Sequence, residues 1–109
     1  MRPVLICDVL ALARLLHARP KRTRRFVARQ VIKDVEAADR YRLLFQKSHP
    51  LWGDGTISAR ALMMERHPEP CWDCPDYLGA IALAASALQS ALQRRSDREV
   101  VCLGHRTAI

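Results

Sequence analysis

Residues 20–47 read as one long amphipathic helix, and a rod of ~40 Å limits what 109 residues can build around it. At about 100° per residue, Val27, Val31, Val35, Ala38 and Phe45 fall on one stripe. Arg22, Arg25, Arg29, Lys33, Arg40 and Lys47 gather on the opposite side. The rest of the chain must pack along the apolar stripe, and the economical partners are further helices.

The flanking segments meet that requirement. Residues 8–18 form a helix with Asp8 as N-cap and Val9, Leu12, Ala13 and Leu16 on one face. Pro20 ends it or opens the long helix, where a missing N–H costs nothing. Residues 48–56 are a turn with two glycines and Pro50, expected to bury Trp52 against the helices. Thr56 or Ser58 caps a short helix over 57–66, ended by His67-Pro68-Glu69-Pro70. Asp76 opens a last helix over 76–95, and the tail 96–109 carries a Val-Val-Cys-Leu run readable as a strand or a docking segment. The expected class is all-α: one small domain of about four helices.

The last helix is rich in alanine. Leu78, Ile81, Ala85, Leu88 and Leu92 recur at steps of three and four, the seam of a helix–helix interface. That seam serves packing inside the domain, or oligomerisation between copies, and the two do not exclude one another.

Charge then points to a partner. The segment Arg19-Pro20-Lys21-Arg22-Thr23-Arg24-Arg25 places cations at the N-terminal end of the long helix, where the helix dipole favours anions. Lys and Arg number 18 against 11 Asp and Glu, a net charge of +7. An anionic partner accounts for both facts, most simply nucleic-acid phosphates met by Lys21, Arg22, Arg24, Arg25, Arg29, Lys33 and Arg40. A merely solvated face, or an acidic protein or lipid partner, remains open. Few aromatics interleave with the cations, so double-stranded DNA held through its phosphates, with weak sequence preference, fits better than stacking on single strands. Six phosphate contacts would give a slope of log affinity against log salt of roughly −5.

Half the residues are hydrophobic, which excludes a disordered basic tail, and no apolar run is long enough for a membrane span. The start Met-Arg-Pro-Val-Leu-Ile-Cys-Asp meets a charge too early for a secretory signal, and four cysteines then read as reduced thiols in a cytoplasm.

Two other motifs carry chemistry less well. Cys71-x-x-Cys74 is half a zinc site that His67, Cys102 or His105 could complete, but a lone CxxC is weak and ordinary thiols are the simpler reading. Trp52-Gly53-Asp54-Gly55 lacks the Lys-Ser/Thr of a phosphate loop and the alternating oxygen ligands of a calcium loop. No nucleophile–base arrangement is recognisable, so neither an enzyme nor a bound cofactor is expected.

Glu36-Ala37-Ala38-Asp39-Arg40-Tyr41-Arg42 followed by His49-Pro50-Leu51-Trp52-Gly53-Asp54-Gly55-Thr56 resembles a family of small proteins of alphaproteobacterial gene transfer agents, phage-like particles that package DNA. Within those clusters the chain is most similar to the small terminase subunit, over roughly Val4 to Met63. The resemblance implies an all-helical ring-like homo-oligomer that binds DNA and engages the large terminase subunit, without a hydrolytic site of its own. A helix-turn-helix before the oligomerisation region, common in phage small terminases, is not clear here. A small dimeric DNA-binding transcriptional regulator is the alternative from another class, and a zinc-stabilised interaction protein with no DNA role is a third.

Overall fold

The computed structural model describes residues 2–64 and 71–103, with side chains as far as Asp97. Four helices follow in chain order: α1 (Ile6–His17), α2 (Lys21–Phe45), α3 (Ile57–Leu62) and α4 (Pro75–Leu103). The expected all-α class is the observed one. Helix α1 is central and touches the other three, whereas α3 and α4 do not meet.

Asp8 explains how α1 is anchored. Leu5, not Asp8, is the N-cap. Asp8 sits one turn inside and reaches back, its Oδ2 accepting the Leu5 N–H at 2.9 Å. Its Oδ1 accepts the Ser58 N–H at 3.1 Å and the Ser58 hydroxyl at 2.6 Å. One buried carboxylate thus ties the first turn of α1 to the first turn of α3. Thr56 is the cap of α3, its hydroxyl oxygen accepting the Ala59 N–H at 3.2 Å. That helix stops at Leu62, short of the expected residue 66.

Leu12, Leu15 and Leu16 of α1 are fully buried. Each leucine removed from water contributes about 1.5–3 kcal/mol, so this one helix supplies much of the driving force for collapse. Around them pack Ala28, Val31, Ile32 and Val35 of α2 and Tyr77, Ala80, Ala84, Leu88 and Ala91 of α4. Helix α4 therefore buries its small side chains. The leucines of α1 occupy the volume between the helices, and alanines opposite them let α4 come close.

This corrects the expected seam. Leu88 is 3% exposed and belongs to the core of this chain, and Ile81 is partly buried against it. Leu78, at 45% exposure, Leu92, at 41%, and Ala85 face outward. Residues 96–103 continue α4, including the Val100–Leu103 run readable from sequence as a strand or a docking segment. On α2 the buried stripe follows Val31, Val35 and Ala38 as expected, but Phe45 is 58% exposed where the helix leaves the core. The helix ends at Gln46, whose positive φ of 56° breaks the α conformation.

The turn after α2 is held by its own side chains. His49 and Gly53 form an antiparallel bridge, and His49 Nδ1 accepts the backbone N–H groups of Leu51 and Trp52 at 3.0 and 3.1 Å. Trp52 is half-buried and stacks on the His49 ring, centroids 4.5 Å apart, rather than inserting among the helices as expected. Tyr41 meets the same imidazole edge-on at 4.8 Å. The two halves of the 36–56 signature thereby come together.

Gly55 closes that junction. Its φ is +95°, and a Cβ there would lie 2.9 Å from the Asp39 Cβ. Gly55→Ala combines the cost of a left-handed alanine, about 1–2 kcal/mol, with overlap against α2. The expected loss is about 2–4 kcal/mol in a thermal or urea melt; an unchanged midpoint would show that the turn is not packed on α2 in this way.

Candidate nucleic-acid interface

The first turn of α2 contains no acidic residue. Its compensating anion comes from 52 residues away. Asp76, in the first turn of α4, pairs with Arg24 through two hydrogen bonds of 3.0 and 3.1 Å. It also faces Lys21 at 3.6 Å and His17 Nε2 at 3.1 Å. Arg24 further donates to the carbonyl oxygens of Arg19 and His17, at 3.0 and 3.2 Å, where α1 gives way to the connection. The Arg24 hydrogen bonds hold the Asp76 carboxyl down at about 2, with Lys21 and His17 adding to the effect.

Arg24 is therefore a clamp among α1, α2 and α4, 7% exposed, and not part of the open cationic face to which its sequence neighbours assigned it. Its position on the helix turns it inward, and a guanidinium there must find a carboxylate. Lys21 stays open to solvent at its tip while sharing Asp76.

The other cations stand where the helical pattern placed them. Arg22, Arg25, Arg29, Lys33 and Arg40 are all exposed along α2. No carboxylate among the described residues pairs with any of the five. Lys47 lies beyond the helix end. Five of the aspartates, by contrast, are engaged within the fold. Asp8 is held by Ser58, Asp34 by Arg60 and Gln30, Asp39 by Arg42, Asp54 by Thr56, and Asp76 by Arg24.

Between α2 and α4 runs a groove of about 330 Å³ lined by Arg25, Arg29, Leu83, Ser86, Ala87, Ser90 and Arg94. Sequence reading missed Ser86, Ser90 and Arg94. Their spacing of four is visible on α4 as a polar ladder, but nothing in the sequence says that it faces Arg25 and Arg29.

Cys7 and Cys71 are exposed free thiols, and Cys74 is a half-buried one. No group of three metal-ligating side chains converges among the described residues. His67, His105 and the Cys102 side chain, which could complete a zinc site, lie outside the described residues. Among the described residues no helix is long and apolar enough to cross a membrane.

These features define a small all-helical domain with a long basic helix turned to solvent. The chain belongs to the DUF7742 family, described as a domain of unknown function, whose family model matches residues 2–88. No curated protein and no solved structure matches it.

Proposed function

We propose that this domain is a non-catalytic DNA-binding adaptor of a phage-like packaging machine, presenting duplex DNA to a large terminase motor. One observation carries the reading. Five exposed cations of α2 share one face and have no carboxylate partner among the described residues, in a fold that engages Asp8, Asp34, Asp39, Asp54 and Asp76 elsewhere. Such a face costs self-repulsion until phosphates meet it. The resemblance of residues 36–56 to small terminase subunits selects packaging among DNA-binding roles. Leu78, Ala85 and Leu92, turned outward on α4, supply a surface through which copies would assemble.

With Arg24 withdrawn, four to five phosphate contacts are available, and the salt slope becomes about −4. The test is fluorescence anisotropy with two labelled 30-base-pair duplexes of unrelated sequence, titrated over 50–200 mM salt. An adaptor of this kind binds both within about threefold, with that slope. Absence of binding at 50 mM salt would sink the reading, and strong preference for one duplex with a defined footprint would move it to a transcriptional regulator.

A further inference from the structure

The seam between α2 and α4 changes character along its length. Near the start of α4 a cleft lined by Lys21, Arg24, Pro75, Asp76, Gly79 and Leu83 contains its own anion, Asp76. Past Leu83, which both clefts share, the lining becomes Arg25 and Arg29 on one wall and Ser86, Ser90 and Arg94 on the other, with no carboxylate. Arg25 and Arg29 stand one helical turn apart, as do Ser86, Ser90 and Arg94 in succession, a rise of about 6 Å per step.

Guanidinium groups that line both walls of one groove raise its energy unless an anion lies between them. The groove, about 330 Å³, has room for a small ligand group, and a lining of three arginines and two serines suits a polar anionic one rather than an apolar one. Arginine forks match phosphate oxygens, and serine hydroxyls donate to those left over.

We propose that this groove seats phosphate of a nucleic-acid backbone, with Arg25 and Arg29 donating from α2 and Arg94, Ser86 and Ser90 donating from α4. The inference rests on the DNA reading above and deepens it. The duplex lies along the α2–α4 seam rather than across the outer face of α2 alone. A seat with two walls fixes the direction of the strand without reading a base, because phosphate contacts position and carry no sequence.

The test joins two measurements on the full chain. The first is a titration of the ¹⁵N-labelled protein with inorganic pyrophosphate, followed by amide shifts. The second is duplex anisotropy of Arg94→Ala and of the double variant Ser86→Ala with Ser90→Ala, which leaves the charge unchanged. Alanine on an exposed helix face preserves or strengthens the helix, so both variants fold. The expected result is pyrophosphate shifts on both walls and duplex affinity about five- to tenfold lower for Arg94→Ala, its salt slope shallower by about 0.9. The serine variant should bind about threefold more weakly with the slope unchanged. Wild-type affinity in both variants, with no pyrophosphate shift on α4, overturns the groove and leaves a DNA face on α2 standing. Pyrophosphate shifts on both walls, with no duplex binding by the wild type, keep the phosphate seat and overturn its nucleic-acid source.

Discussion

Replacing Arg22, Arg25 and Arg29 together by Glu should abolish duplex binding and leave the protein as stable as before, or more so. At 0.1 M salt each phosphate contact contributes about eightfold through counterion release, so three lost contacts amount to about 500-fold before any repulsion is counted. All three side chains are exposed and unpaired with carboxylates among the described residues. Glu has a helix propensity close to that of Arg, and the acid at position 22, in the first turn of α2, complements the dipole by about 0.3–1 kcal/mol. The signature is therefore two-sided: binding lost in anisotropy, midpoint unchanged or raised in thermal unfolding. A variant that binds duplex within twofold of wild type would refute the basic-helix interface. A variant that melts earlier would show that these arginines serve the fold.

Arg24 should behave in the opposite way, although it stands within the same basic cluster. Arg24→Ala removes both hydrogen bonds to Asp76 and the two to the end of α1. Breaking a buried pair by deleting one partner costs about 3–5 kcal/mol. Asp76 is a third exposed and keeps Lys21 and His17 nearby, which reduces the expected loss to about 2–3 kcal/mol. That loss lowers the midpoint by roughly 10 °C or more in a domain of this size. The same pair sets an acid limit. The Asp76 carboxyl titrates at about 2 in the fold and near its ordinary 3.8 when unfolded, so its contribution is complete above that ordinary value. It is lost as pH falls toward 2. Thermal midpoints should hold above about pH 5 and decline between pH 4 and 2, and Asp76→Asn should flatten part of that decline. If Arg24→Ala leaves the midpoint unchanged while weakening DNA binding, Arg24 belongs to the interface after all.

The contrast between Arg22 and Arg24 shows how far a single chain of letters reaches. Both stand in one run of cations, and two positions on a helix turn them about 200° apart. The helical pattern placed Arg22, Arg25, Arg29, Lys33 and Arg40 outside correctly, because a charge on the core side is too costly to desolvate without a partner. It did not identify Arg24 as the exception, because the partner that makes its burial tolerable is Asp76, on another helix. The dipole argument fared similarly. An anion does meet the start of α2, but for Lys21 and Arg24 it is internal.

Helix α4 posed a different difficulty. Where valine alternates with charge, as at Val27, Val31 and Val35 beside Arg25, Arg29 and Lys33 in α2, hydrophobic contrast selects the buried face. In α4 the contrast is slight: Leu78, Leu88 and Leu92 look equivalent, and alanines occupy several faces. The leucines of α1 decide instead, since helices with large side chains pack closest against small ones, and Ala80, Ala84 and Ala91 turn inward.

The sequence by itself thus determined that this chain is helical, that α2 carries an open cationic face, and that Val31, Val35 and Ala38 face inward, because local periodicity and desolvation cost settle those questions. Only the tertiary structure decided which arginine is a clamp, which face of α4 is buried, and that Ser86, Ser90 and Arg94 look across a groove at Arg25 and Arg29. Those outcomes depend on pairing between segments more than 50 residues apart, and such pairing is chosen by shape and charge in three dimensions.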